Sequence, residues 1–107
     1  MSHDYEAQRA ETFESFAALG NRAALPNHAV VDFQFYPDDK DANWAACENA
    51  LRAKGFRTKR FEDEDTLEAS FGPIEVMPES IWHYERQATE IAIAYGFDPD
   101  GWVLAAN

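Results

Sequence analysis

Hydrophobic and polar positions change period several times along this chain, and each change predicts an element. Over residues 4 to 19, Phe13, Phe16 and Ala17 recur at helical spacing while Glu6, Glu11 and Glu14 fall elsewhere, which predicts a first helix stopped by Gly20 and Asn21. NRAALPNH then reads as a linker. In AVVDFQFY, residues 29 to 36, Val31, Phe33 and Phe35 alternate with Asp32, Gln34 and Tyr36, the period of a half-buried strand. PDDKD predicts a turn in which Asp39 or Asp41 caps a helix running to about Lys54, with Trp44, Cys47 and Leu51 as its apolar stripe and Gly55 as its stop.

The second half repeats the theme. Residues 56 to 62 predict a short basic strand, and EDED, residues 62 to 65, a solvated turn. Leu67, Ala69 and Phe71 keep step in a third strand over residues 66 to 76, and Gly72-Pro73 breaks the alternation, so a bulge or kink is expected there. Pro78 and Ser80 open a last helix with Ile81, Tyr84, Ala88, Ile91 and Tyr95 as its stripe, and Gly96 stops it. Asp98-Pro99-Asp100-Gly101 has the chemistry of a turn, which leaves residues 101 to 106 as the fourth strand, with Trp102 and Leu104 on one face. After the first helix the order is β-α-β-β-α-β. AKGF (53 to 56) and AYGF (94 to 97) echo each other at the two helix ends. The expected fold is α+β and ferredoxin-like: a four-stranded antiparallel sheet with two helices on one face, plus an N-terminal helix. Residues 1 to 27 form the helix and linker of this reading, and residues 28 to 107 its domain.

Composition narrows the function. At 107 residues one domain is expected, and eight Phe, four Tyr and three Trp supply a core. A single cysteine, Cys47, excludes an internal disulfide and fits a reducing, cytoplasmic setting. The polar, acidic start MSHDYEAQRAE does not read as a leader, and no apolar run approaches a membrane span. The net charge of −11 repels nucleic acid and anionic membranes and favours a basic partner. Five of the nine basic residues fall between Arg52 and Arg60, so the remainder is more acidic still.

Catalytic chemistry is not legible. Glu79 and His83 stand four apart on one helix, but a surface placement explains them better than a metal. Cys47 shares a face with Trp44 and Leu51 and reads as a buried thiol. Glu62, Asp63, Glu64 and Asp65 lack the spacing of a calcium loop, and Ser15, Ser70 and Ser80 lack the setting of a nucleophile. No cofactor is expected. An RNA-binding sheet is a rival, with Arg57, Lys59 and Arg60 along a backbone. The aromatic ribonucleoprotein motifs are absent, however, and Phe33 and Phe35 take the core face.

FDPDGWVL, preceded by IWHYERQATEIAIAYG, resembles the C-terminal signature of the ribonuclease E inhibitor family, the regulators of ribonuclease activity B. The likeness extends more loosely over residues 28 to 106. The family's usual tyrosine before Asp-Gly-Trp is Pro99 here, and its acidic C-terminal tail is replaced by acidity expected of the folded body. The resemblance implies a ferredoxin-like, cytoplasmic, non-catalytic protein that binds an arginine-rich region of ribonuclease E. The expected contact residues are Asp98, Asp100 and Trp102 together with Glu62, Asp63, Glu64 and Asp65; Trp102 fits a core position equally well. The alternative is a small acidic domain that self-associates, as a homodimer joined through the sheet, or binds a ligand.

Overall fold

The computed structural model describes residues 3–20, 24–38 and 41–105. Its elements are α1 (Tyr5–Ala17), β1 (His28–Pro37), α2 (Trp44–Ala53), β2 (Arg57–Phe61), β3 (Thr66–Glu75), α3 (Pro78–Ala94) and β4 (Phe97–Leu104). The strands form one antiparallel sheet in the order β2-β3-β1-β4.

Strand β1 is central, and its alternation sorts the molecule into two faces. Val31, Phe33 and Phe35 are at most 1% exposed and join Leu67 and Ala69 of β3, Cys47 and Leu51 of α2, and Ile81, Ala88 and Ala92 of α3 in one core. The intervening residues face away from it and bond across strands: Gln34 donates to Glu68 at 2.9 Å and Ser70 to Asp32 at 2.6 Å. On β2, Arg60 pairs with core residue Leu67 and lies on the helix side, where it clamps Glu48 of α2 through Nε at 2.7 Å and Nη2 at 2.6 Å. Glu48 is 6% exposed, so this ion pair answers a nearly buried charge.

Boundaries differ from the sequence reading in instructive places. Helix α2 is capped by Asn43, whose side chain accepts from Ala46 N–H at 3.1 Å, in place of Asp41; Asp39 lies outside the described residues. Asn43 directly precedes the first helical residue, where a side-chain oxygen reaches the free N–H groups. Helix α1 buries Gln8, Thr12 and Phe16, leaving Phe13 half-buried and Ala17 exposed, because it packs on the polar side of α3. Helix α3 buries Ile81, Glu85, Ala88, Thr89 and Ala92; Tyr84, Ile91 and Tyr95 flank that stripe and pack against the core from its margin.

The largest correction is β4. Asp98-Pro99-Asp100-Gly101 is strand, and β4 begins at Phe97, four residues before the expected start. Two features let this turn-like sequence stay in the sheet. β4 is an edge strand, so Pro99 forfeits no ladder bond on its outer side. The register against β1 shifts between Phe33 and Phe35, and Gly101, at φ +87°, absorbs that bulge.

The expected irregularity at Gly72-Pro73 is present: as β1 advances two residues from Ala29 to Val31, its antiparallel partner on β3 steps back three, from Ile74 to Phe71. Gly72 has φ +129°, and a Cβ there would stand 2.8 Å from Ile74 N and 2.9 Å from Ala29 O, both backbone atoms. Gly72→Ala is therefore expected to destabilise the fold by about 2–4 kcal/mol. Gly101→Ala meets no atom within 4 Å and carries only a conformational cost, about 1 kcal/mol. Urea melts of the two variants compare them directly, and equal losses would contradict this account of the bulge.

Candidate functional site

The sheet brings the predicted contact residues toward one end. Strand β2 ends at Phe61, which pairs with Thr66; Phe35 pairs with Leu67 and Pro99, and Tyr36 pairs with Asp98. The β2–β3 turn and the start of β4 thus lie at the same end of the sheet, two to three interstrand spacings apart, or roughly 10–15 Å. Glu62, Asp63 and Glu64 form a short 3-10 turn there, closed by Asp65 in the left-handed conformation at φ 50°, and all four are exposed. Asp38 follows β1 at this end, and Asp100 is exposed on β4.

The carboxylates crowd one another. Asp98 has its pKa raised by partial burial and by a hydrogen bond with Asp38, whose charge adds repulsion. The Tyr36 hydroxyl is raised by desolvation and then by Asp98, Asp38 and Asp100. A nearby positive charge would relieve all of these interactions at once. Arg60 is the basic residue beside the acidic turn and feels the charge of Glu62, though its guanidinium bonds Glu48; farther along β2, Lys59 pairs across to Glu68 and Arg57 to Ser70, and Lys59 Nζ rests 5.0 Å from the Phe61 ring centre.

Trp102 pairs with Phe33 and packs against the core while half-exposed, so it belongs to both core and surface. Its exposed part borders a cleft of about 430 Å³ between α1, the end of β1, α3 and β4, shared with Asp98, Tyr36 and His3. Asp98 and Trp102 meet here, whereas Glu62 to Asp65 stay across the sheet.

At the base of the cleft is Glu85, a residue the apolar pattern of α3 passed over. It is 3% exposed. Thr12 Oγ1 donates to its Oε1, and Gln8 Nε2 donates to its Oε2 at 3.2 Å and to Thr89 Oγ1 at 3.0 Å. His3 Nε2 sits 2.6 Å from Gln8 Oε1. This polar seam fastens α1 to α3. The sequence signal was available: Ile81, Glu85, Ala88 and Ala92 follow strides of four, three and four, which puts a carboxylate inside a core stripe.

Elsewhere the chemistry is quiet. Cys47 is buried, and burial, followed by the neighbouring Glu48 charge, pushes its pKa up to about 12. Its thiol is expected to resist alkylation at neutral pH until the chain unfolds, as thiol-reactive dye uptake with and without denaturant would register. His83 bonds Gln87 at 3.0 Å on exposed helix surface. Among the described residues no group of three or more metal-type ligands converges, and no helix is long and apolar enough to cross a membrane. Compared with protein-family profiles and with curated proteins, the chain matches none.

Burial raises the Glu85 pKa; the Thr12 and Gln8 bonds counter this in part, and Glu11 adds to it. A carboxyl whose folded pKa lies above its unfolded value contributes stability below the unfolded value and loses it as pH rises through the folded one. Glu85→Gln keeps the shape and removes the charge. The variant is expected to gain stability relative to the wild type as pH rises from about 5 to about 8. Paired thermal melts check this, and a gap that stays constant or moves the other way would contradict it.

Proposed function

We propose that this chain is a non-catalytic regulator that docks on a basic segment of another protein through the acidic end of its sheet, in the manner of inhibitors of ribonuclease E. The observation that carries the reading is that two acidic groups remote in sequence, Glu62 to Asp65 and Asp38 with Asp98 and Asp100, lie on opposite sides of the same end of one sheet. A segment of four or five extended residues spans roughly 10–15 Å at about 3.3 Å per residue, enough to touch both groups. Attraction by a −11 chain speeds such an encounter and orients it, and the exposed position of most of these carboxylates suits rate and specificity more than raw affinity.

The ferredoxin-like assignment belongs to the same reading. It is supported by the antiparallel order β2-β3-β1-β4, in which β1 and β3 are central and β2 and β4 are edges, and by α2 and α3 contributing to one core with the Phe33 face. The Asp100-Gly101-Trp102 run that carries the family resemblance lies on β4 beside the cleft, and a cytoplasmic location goes with it.

Affinity capture with ribonuclease E at low and moderate salt tests the proposal. Retention is expected at low salt and is expected to weaken as the screening length falls to about 10 Å near 0.1 M. Neutralising Glu62 to Asp65 as amides, or Asp98 and Asp100 as asparagines, is expected to weaken binding by roughly tenfold each. No retention at either salt, or retention indifferent to both changes, would count against it.

A further inference from the structure

The two buried glutamates of this fold are treated differently. Glu48 meets Arg60 at 2.6 Å and Arg52 at 3.6 Å. Glu85, buried at least as deeply, is bonded by the neutral donors Thr12 and Gln8. A buried carboxylate is normally answered by a cation or held neutral. Beside it opens the cleft, whose lining among the described residues holds four acids, Asp4, Glu11, Glu85 and Asp98, with His3 as the basic side chain and no lysine or arginine. Tyr36 and Trp102 add aromatic wall. At about 430 Å³ the space lies toward the small end of ligand clefts, which run from about 300 to 1,000 Å³.

We propose that this cleft binds an organic cation, a guanidinium or ammonium group on a short apolar stem, with Glu85 and Asp98 as its anionic partners and Trp102 against the stem. The inference deepens the docking reading and rests on it for one source of the cation, a side chain of the basic segment; a free alkylamine presents the same chemistry. Carboxylates supply charge-assisted hydrogen bonds, and an aromatic face suits a cation and its stem. Binding is coupled to a proton. Burial favours the neutral form of Glu85 and an incoming cation the charged form, so proton release to solvent accompanies binding and affinity rises with pH. The groups that bear on that titration are Thr12, Gln8 and Glu11 of α1 and His3 before it; Asp98 of β4 lines the same cleft, and Thr89 on α3 bonds Gln8.

Calorimetric titration of the full chain with agmatine, and with butylurea as a neutral counterpart, tests this at two pH values, one near the ordinary carboxylate range and one well above it. One saturable agmatine site is expected, roughly tenfold tighter at the higher pH, with no butylurea binding. Glu85→Gln is expected to weaken agmatine about tenfold and to remove most of the pH dependence. Asp98→Asn, at a half-exposed residue that leaves the core intact, is expected to weaken it by a similar factor. Absent agmatine saturation, equal butylurea binding, or affinity unchanged in both variants would overturn the proposal. An arginine peptide that displaces agmatine, where its citrulline counterpart does not, identifies a segment side chain as the source; agmatine binding that the peptide leaves untouched identifies a free amine. Ribonuclease E retained equally by the wild type and Glu85→Gln, without agmatine binding, would sink the cleft and leave the docking reading standing. Agmatine binding without retention would do the reverse.

Discussion

Everything in this structure hangs on the pleat of β1. Val31, Phe33 and Phe35 occupy the helix side with at most 1% exposure, while Asp32 and Gln34 occupy the other. Sliding the strand by one residue would exchange the two sets. At about 2 kcal/mol per apolar side chain the slip costs about 6 kcal/mol, comparable with the 5–15 kcal/mol that holds a whole domain, before any charge is buried. Because β1 is central, its register fixes β3 on one side and β4 on the other. The positions of the acidic β2–β3 turn and of Asp98 to Trp102 follow from that.

The placement of charge is one consequence. The solvated β2–β3 turn and the acid-rich entry to β4 are forced to the same end of the sheet by antiparallel pairing through β3 and β1. Few long-range ion pairs offset this concentration among the described residues: Arg60 and Arg52 are spent on Glu48, and Arg86 lies against Glu90 one helical turn away at 3.4 Å. Surface pairs of the last kind contribute little to stability. The docking proposal gives the carboxylates at the sheet end a partner outside the chain; within it, Arg60 also feels the charge of Glu62.

How much of this the sequence disclosed depends on how local each cause was. The β1 alternation, the Gly55 and Gly96 stops and the Gly72-Pro73 irregularity are written in neighbouring residues, and all are found. The start of β4 was not legible, because turn chemistry at Asp98 to Gly101 is overridden by an edge position and a bulge that exist only once β1 is in place. The stripe of α1 was misread for a similar reason. Its partner surface on α3 is polar, so Gln8 and Thr12 are buried where apolar residues were expected. Of the candidate site, the acidic residues were named from sequence, but their grouping at one end, and the roles of Glu85, His3 and Tyr36 in the cleft, need the tertiary arrangement.

The central claim is that this end of the sheet is where a basic partner sits. Amide chemical shifts followed by NMR during titration with a short arginine-rich peptide address it residue by residue. The account predicts shifts gathered at Glu62 to Asp65 and at Asp98 to Trp102, with the far end near His28 and Glu75 unmoved. Shifts gathered at that far end, or along the outer surface of α3 around Trp82 and His83, would contradict it.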